Sequence, residues 1–204
     1  MRAMDKRQIE EWQREVQKPK KARCVYEVSD VFSGENVSDD NVRLVHVENS
    51  HKLRMYALFK TQLQPERYLL CVENKQERML LACFRAGVLP LRIETGRYEF
   101  GGIQGKRGIP IKHRVCLCCL MGKVEDEIHF LLECPMFQSL RIPLLQAARE
   151  ALSDSEFSNA EADVQKFFCS IMGSNVKDYL CRAVARFVKK AYALRVEVLG
   201  TIGK

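Results

Sequence analysis

CLCCLMGKVEDEIHFLLECP, residues 116–135, is the stretch that decides how this chain folds. Taken together, Cys116, Cys119, His129 and Cys134 give the spacing C-x2-C-x9-H-x4-C. Three thiolates and one imidazole make a closed tetrahedral set for zinc. Cys116 and Cys119 fall across a tight turn and can face one centre. His129 and Cys134 belong to the next element, where Asp126 is a suitable N-cap ahead of helix-forming residues. Five residues along an ideal α-helix rotate through about 500°, so positions 129 and 134 would not share a face. Pro135 offers a way out, because the residue before a proline is pushed away from the α region and Cys134 can then swing back towards His129. The competing reading makes these cysteines ordinary buried thiols of a helical protein. Cys118, between the first two ligands, could also compete for the metal.

Outside this stretch, the charge is unevenly distributed. The chain has 204 residues and a net charge of +7, which suggests one domain or two small ones. Residues 52–114 hold thirteen Lys/Arg against five Asp/Glu, whereas residues 115–170 hold four against nine. Residues 171–204 are basic again, with seven against two, and residues 1–51 are nearly balanced, with nine against ten. A basic block therefore sits directly before the candidate zinc loop and suits a polyanion, most simply nucleic acid. The alternative is a solvated helix surface balanced by the acidic segment that follows. The apolar content of 47% and charged content of 29% are those of a globular protein. No run of eighteen apolar residues suggests a membrane span. The N-terminal MRAMDKRQIEEWQREV lacks the apolar core of a secretory signal, so the expected location is nuclear or cytoplasmic. In such a compartment nine cysteines read as metal ligands and buried thiols rather than disulfides.

The hydrophobic pattern predicts a mostly α protein, a small helical assembly around one CCHC zinc knuckle. Ile9, Trp12 and Val16 give a first helix over 4–17, and the short basic run KPKKAR (18–23) is either solvated or a nuclear address. Residues 24–50 hold two candidate short strands, in CVYEVSDVF and VRLVHV, or form a partly disordered linker. Helices follow over 51–63, from Pro65, and from Asn74 or Lys75 to a stop at Gly87. Met79, Leu80, Ala82, Cys83 and Phe84 form the expected buried side of the third. Residues 88–102 read as an ordered loop and 105–115 as a basic lead-in to the knuckle. A helix over 135–152 contains Pro143, expected to kink or divide it. After a polar joint come helices over 163–173 and 175–199, the last with an apolar stripe of Leu180, Val184, Phe187, Ala191, Leu194 and Val198. Arg182, Arg186 and Lys189 share a different face. Three regions result: residues 1–50, an N-terminal helix and linker; 51–141, a basic helical region with the knuckle; and 142–204, C-terminal helices packing on it.

Several stretches together resemble the C-terminal region of non-LTR (LINE-type) retrotransposon reverse transcriptases. They are KLRMYALFK (52–60), YLL (68–70), ERMLLACFRAGVLPLRIETGRY (77–98), IPIKHRVCLCC (109–119) and VEDEIHFLLECPMFQSLR (124–141). The resemblance implies a zinc-knuckle module associated with binding the element's nucleic acid, and it carries Cys116, Cys119, His129 and Cys134 over as ligands. The catalytic parts of that family are absent from this sequence. VSDD (37–40) lies in a polar loop without apolar strand flanks, and no endonuclease domain fits the length. The chain looks like a detached piece of such an element, domesticated or decayed.

The chemistry expected is therefore binding and not catalysis. Four protein ligands leave no open position on zinc for a Lewis-acid role. Glu127 and Glu133 read as solvated helix carboxylates, and Cys119 with His129 would form a nucleophile–base pair only without zinc. GGIQGKRG (101–108) lacks the ending of a phosphate-cradling loop. The candidate phosphate contacts are Arg78, Arg85, Arg92, Arg97, Lys106, Arg107, Lys112 and Arg114, with Tyr98 and Phe100 available to stack on unpaired bases. RNA or DNA is the expected partner. The rival expectation is a protein-interaction or structural role, with the 175–199 helix docking on a partner, or a relic fragment without its own activity.

Overall fold

The computed structural model describes residues 24–28, 42–46, 53, 55–60, 65–99, 108–157, 163–174 and 176–202. The helix expected over 4–17, the KPKKAR run and positions 100, 106 and 107 lie outside them. The described chain is mostly helical, as its periodicity predicts. Two short strands, β1 (Cys24–Val28) and β2 (Val42–His46), pair antiparallel with Cys24 opposite His46 and Val28 opposite Val42. Then come α1 (Tyr56–Phe59), α2 (Arg67–Cys71), α3 (Lys75–Arg85) and α4 (Arg92–Thr95), the knuckle, and α5 (Gln138–Ala151), α6 (Val164–Met172) and α7 (Asp178–Ile202).

Local sequence accounts for the helix ends. Asn74 caps α3 by accepting a 3.0 Å bond from the Glu77 N–H. Gly87, at φ 66°, stops it by folding the chain so that the Val88 N–H reaches the Cys83 carbonyl at 2.9 Å. Asp163 caps α6 in the same way through the Lys166 N–H. Pro143 does not divide the helix: α5 runs continuously through it, with the proline exposed. The loop expected over 88–102 contains the single turn α4.

α7 is the spine of the fold and packs against α2, α3, α5 and α6. Its apolar stripe is therefore core: Leu180, Val184, Phe187 and Ala191 are buried, and Leu194 and Val198 pack partly buried behind them. The chain's own helices cover this stripe. The buried side of α3 also shifts. Leu81, Phe84 and Arg85 face inward, while Met79 is 56% exposed. A chain of phenylalanines threads the core. Phe59 (α1) meets Phe168 (α6) at 6.1 Å, Phe168 meets Phe84 (α3) at 6.3 Å, and Phe84 meets Phe130 of the knuckle at 5.8 Å. Phe130 then meets Phe137 at 5.1 Å and Phe187 (α7) at 6.0 Å. Such tilted and edge-on pairs are favoured by the ring quadrupoles. The knuckle is thus plugged into the centre of the assembly by a side chain with no exposed surface. No helix among the described residues is long and apolar enough to cross a membrane.

Candidate metal centre

The first two cysteines sit at a hairpin. Val115 and Val124 form an antiparallel bridge, the Cys116 N–H donates to the Lys123 carbonyl at 2.8 Å, and the Glu125 N–H to the Arg114 carbonyl at 2.9 Å. Gly122, at φ 65°, turns the chain back on itself. The hairpin tip carries Leu117, Leu120 and Met121 exposed to solvent, and directs Cys116 inward.

The second pair is brought together by a turn that the sequence did not reveal. His129–Glu133 is a π turn: the Cys134 N–H donates to the carbonyl of His129, five residues back, at 2.7 Å. The wider π turn brings position 134 back over position 129, which an α-helix does not do. Asp126 caps its start, accepting from the His129 N–H at 2.8 Å. Cys134 leaves the helical region at ψ 119°, in keeping with the proline that follows it. Arg141, buried on α5, donates to the carbonyls of Leu131 and Cys134, both at 2.8 Å, and so satisfies the end of the turn.

The result is a tetrad. One donor atom from each of Cys116, Cys119, His129 and Cys134 lies within 4.8 Å of every other. Cys116 Sγ is 4.0 Å from Cys134 Sγ, and Cys119 Sγ is 3.4 Å from His129 Nε2. Cys116 and Cys134 are buried, His129 is buried and Cys119 is half-buried. With Nε2 turned to the sulfurs, Nδ1 faces Glu133 Oε2 at 3.5 Å, and the other Glu133 oxygen holds Lys123 Nζ at 3.0 Å. Cys118 is outside the tetrad; its sulfur lies within 4.8 Å of Cys116 and of the Glu125 carboxylate. All eight cysteines with described side chains are free thiols.

The electrostatics concentrate negative charge at one sulfur. Hydrogen bonds from Cys118 and then Cys134 hold the Cys116 thiol far below its ordinary range. The same contact with Cys116, reinforced by burial, drives Cys118 and Cys134 far above theirs. Burial raises Cys119. At His129 burial opposes the positive charge, but Cys116 and then Glu133 outweigh it, and the imidazole is raised. The lowered thiol of Cys116 and the raised thiols of Cys118 and Cys134 thus belong to one hydrogen-bonded cluster.

Glu125 ties this centre to the spine. It is 1% exposed and takes both Nε and Nη2 of Arg195 on α7, at 2.8 and 2.7 Å, while accepting from the Arg92 backbone N–H at 2.7 Å. Nothing in the EDE run marks which acid turns inward. Glu127 is buried as well, which corrects its reading as a solvated carboxylate.

The expected phosphate contacts fare differently. Arg85 is buried on α3, bound to Glu66 and the Met172 carbonyl at 2.7 Å each, with its guanidinium 4.5 Å over the Phe59 ring. It does not form a surface face with Arg78, which reaches the Val72 carbonyl at 2.6 Å. Arg92 pairs with Glu99, and Arg97 with Glu94 at 2.9 Å. Arg114 braces the neighbouring turn through the carbonyls of Ile109 and Ile93, at 2.7 and 2.6 Å. A Cβ on Gly96 would come within 2.8 Å of the Arg114 side chain, so the glycine makes room for that brace. Arg85 is corrected from a surface cation to an internal strut, while Arg78, Arg92, Arg97 and Arg114 are half-buried and each holds a carbonyl or carboxylate of the fold. Lys112 is exposed, as is Tyr98. Lys106, Arg107 and Phe100 lie outside the described residues. No family model, curated protein or solved structure matches the chain.

Proposed function

We propose that the chain is a zinc-dependent nucleic-acid-binding module, derived from a retrotransposon reverse transcriptase C-terminus and non-catalytic by itself. The observation that carries the metal is the convergence of four donors from two elements. A tetrahedral zinc, with bonds of about 2.3 Å to sulfur and 2.0 Å to nitrogen, separates two sulfurs by about 3.8 Å and a sulfur from a nitrogen by about 3.5 Å. The pairs at 4.0 and 3.4 Å fit that ion closely. Glu133 stands where a zinc-bound histidine ordinarily finds the acceptor for its second nitrogen. The ion would join the hairpin to the π turn and hold Phe130 in the core.

Four protein donors leave the metal no open position, which supports a structural role. For nucleic acid the support is the net charge of +7, the exposed Lys112 beside the knuckle, and the resemblance of residues 52–141 to that family. A gel-shift series with single- and double-stranded RNA and DNA, with and without chelator, tests the reading. Binding that weakens when metal is removed is the expected outcome; no binding to any of the four would overturn it.

A further inference from the structure

Most arginines beside the knuckle are engaged with carbonyls or carboxylates of the fold, whereas the outer face of α7 carries cations of a different kind. Arg182, Arg186 and Lys190 recur every fourth residue and share one side of this helix, opposite the buried Val184, Val188 and Ala191. Arg186 and Lys190 are exposed. Among the described residues neither has an ion-pair or hydrogen-bond partner, whereas neighbouring Lys189 is held by Glu77 at 3.5 Å and Arg67 by Asp178 at 2.5 Å. Tyr179, 38% exposed, lies at the start of the row.

We propose that the Arg182–Arg186–Lys190 face of α7 binds the phosphate backbone of a nucleic acid, without reading its sequence. This rests on the nucleic-acid reading above and identifies the surface that serves it. Four residues of helix rise about 6 Å, so the three cations span about 12 Å, the reach of roughly three to four phosphates along a strand. Charge complementarity selects the occupant. The row is cationic with small Ala193 beyond it, and it lacks the cluster of large apolar anchors that a protein partner or a membrane surface requires. Glu197 closes the row near the C-terminal end of the helix.

The test is the salt dependence of binding for the full chain and its Arg186→Gln/Lys190→Gln variant, on single-stranded RNA and on a duplex of equal length. Loss of two phosphate contacts lowers the slope of log affinity against log salt by about 1.4 on single strands and about 1.8 on duplex. The loss should be equal across unrelated sequences. An Arg149→Gln/Lys166→Gln control removes two exposed cations from other helices and leaves the slope unchanged. The melting curve of the α7 variant should match the parent, since Arg186 and Lys190 are exposed. If the parent binds and the α7 variant keeps its slope, this surface is wrong while the nucleic-acid reading survives. An equal loss on polyglutamate would show a general polyanion face and overturn nucleic acid as its ligand. If the parent binds no nucleic acid at all, both readings fall.

Discussion

Glu133 has one carboxylate and two nitrogen neighbours. One oxygen faces His129 Nδ1 at 3.5 Å and the other holds Lys123 at 3.0 Å, an arrangement that favours Nε2 as the nitrogen turned to the sulfurs. Glu133→Gln should therefore lower zinc affinity by about 10- to 100-fold, the usual effect of losing such a partner, while leaving the helical signal intact. Competition against a chelating dye measures it; unchanged affinity would mean the carboxylate only serves Lys123. At this scale the clustering of the four donors was readable, because a candidate metal set is a matter of residue type and spacing. The fate of the arginines was not. Arg85 is buried by Glu66 and by Met172, nineteen and eighty-seven residues away, and no local pattern announces such partners. A cation bound to a distant carbonyl and one facing water look alike in sequence.

The π turn and α7 are the elements that shape the centre. Helix boundaries followed from caps that sequence displays, such as Asn74, Gly87 and Asp126. The π turn did not, since its extra residue is hidden within a run of good helix formers; Pro135 gave only half of the explanation. The α7 stripe was readable as an apolar face, but not what would cover it. The link from the hairpin to α7 is the Glu125–Arg195 pair, with side chains 1% and 6% exposed. Burial opposes the Arg195 charge, and the Glu125 bonds more than restore it. Breaking a buried pair from one side leaves the other charge without compensation. Glu125→Gln should thus cost about 3–5 kcal/mol in denaturant unfolding. A change below about 1 kcal/mol would show that the knuckle and the spine are not coupled through this pair.

Across the whole molecule, the proposed zinc would make metal, knuckle and core one cooperative system. The aromatic chain passes through Phe130, whose position depends on the turn that carries His129 and Cys134. Structural zinc contributes roughly 10–16 kcal/mol of apparent binding energy at neutral pH, comparable to the net stability of an entire domain, about 5–15 kcal/mol. The pH dependence follows from the thiols. Cys134 is raised above the ordinary range by Cys116 and by burial, so without metal it keeps its proton at neutral pH and must release it to bind. Zinc affinity, and the stability it confers, should rise with pH through the neutral range and fall on acidification as protons reclaim the ligands. A flat profile between about pH 6 and 8 would contradict thiolate ligation. The most direct test of the central claim is the metal content of the chain purified without chelator, read with the sulfur and nitrogen coordination of the bound ion. The account predicts one zinc per chain with three sulfurs and one nitrogen; a metal-free protein that keeps the same fold would contradict it.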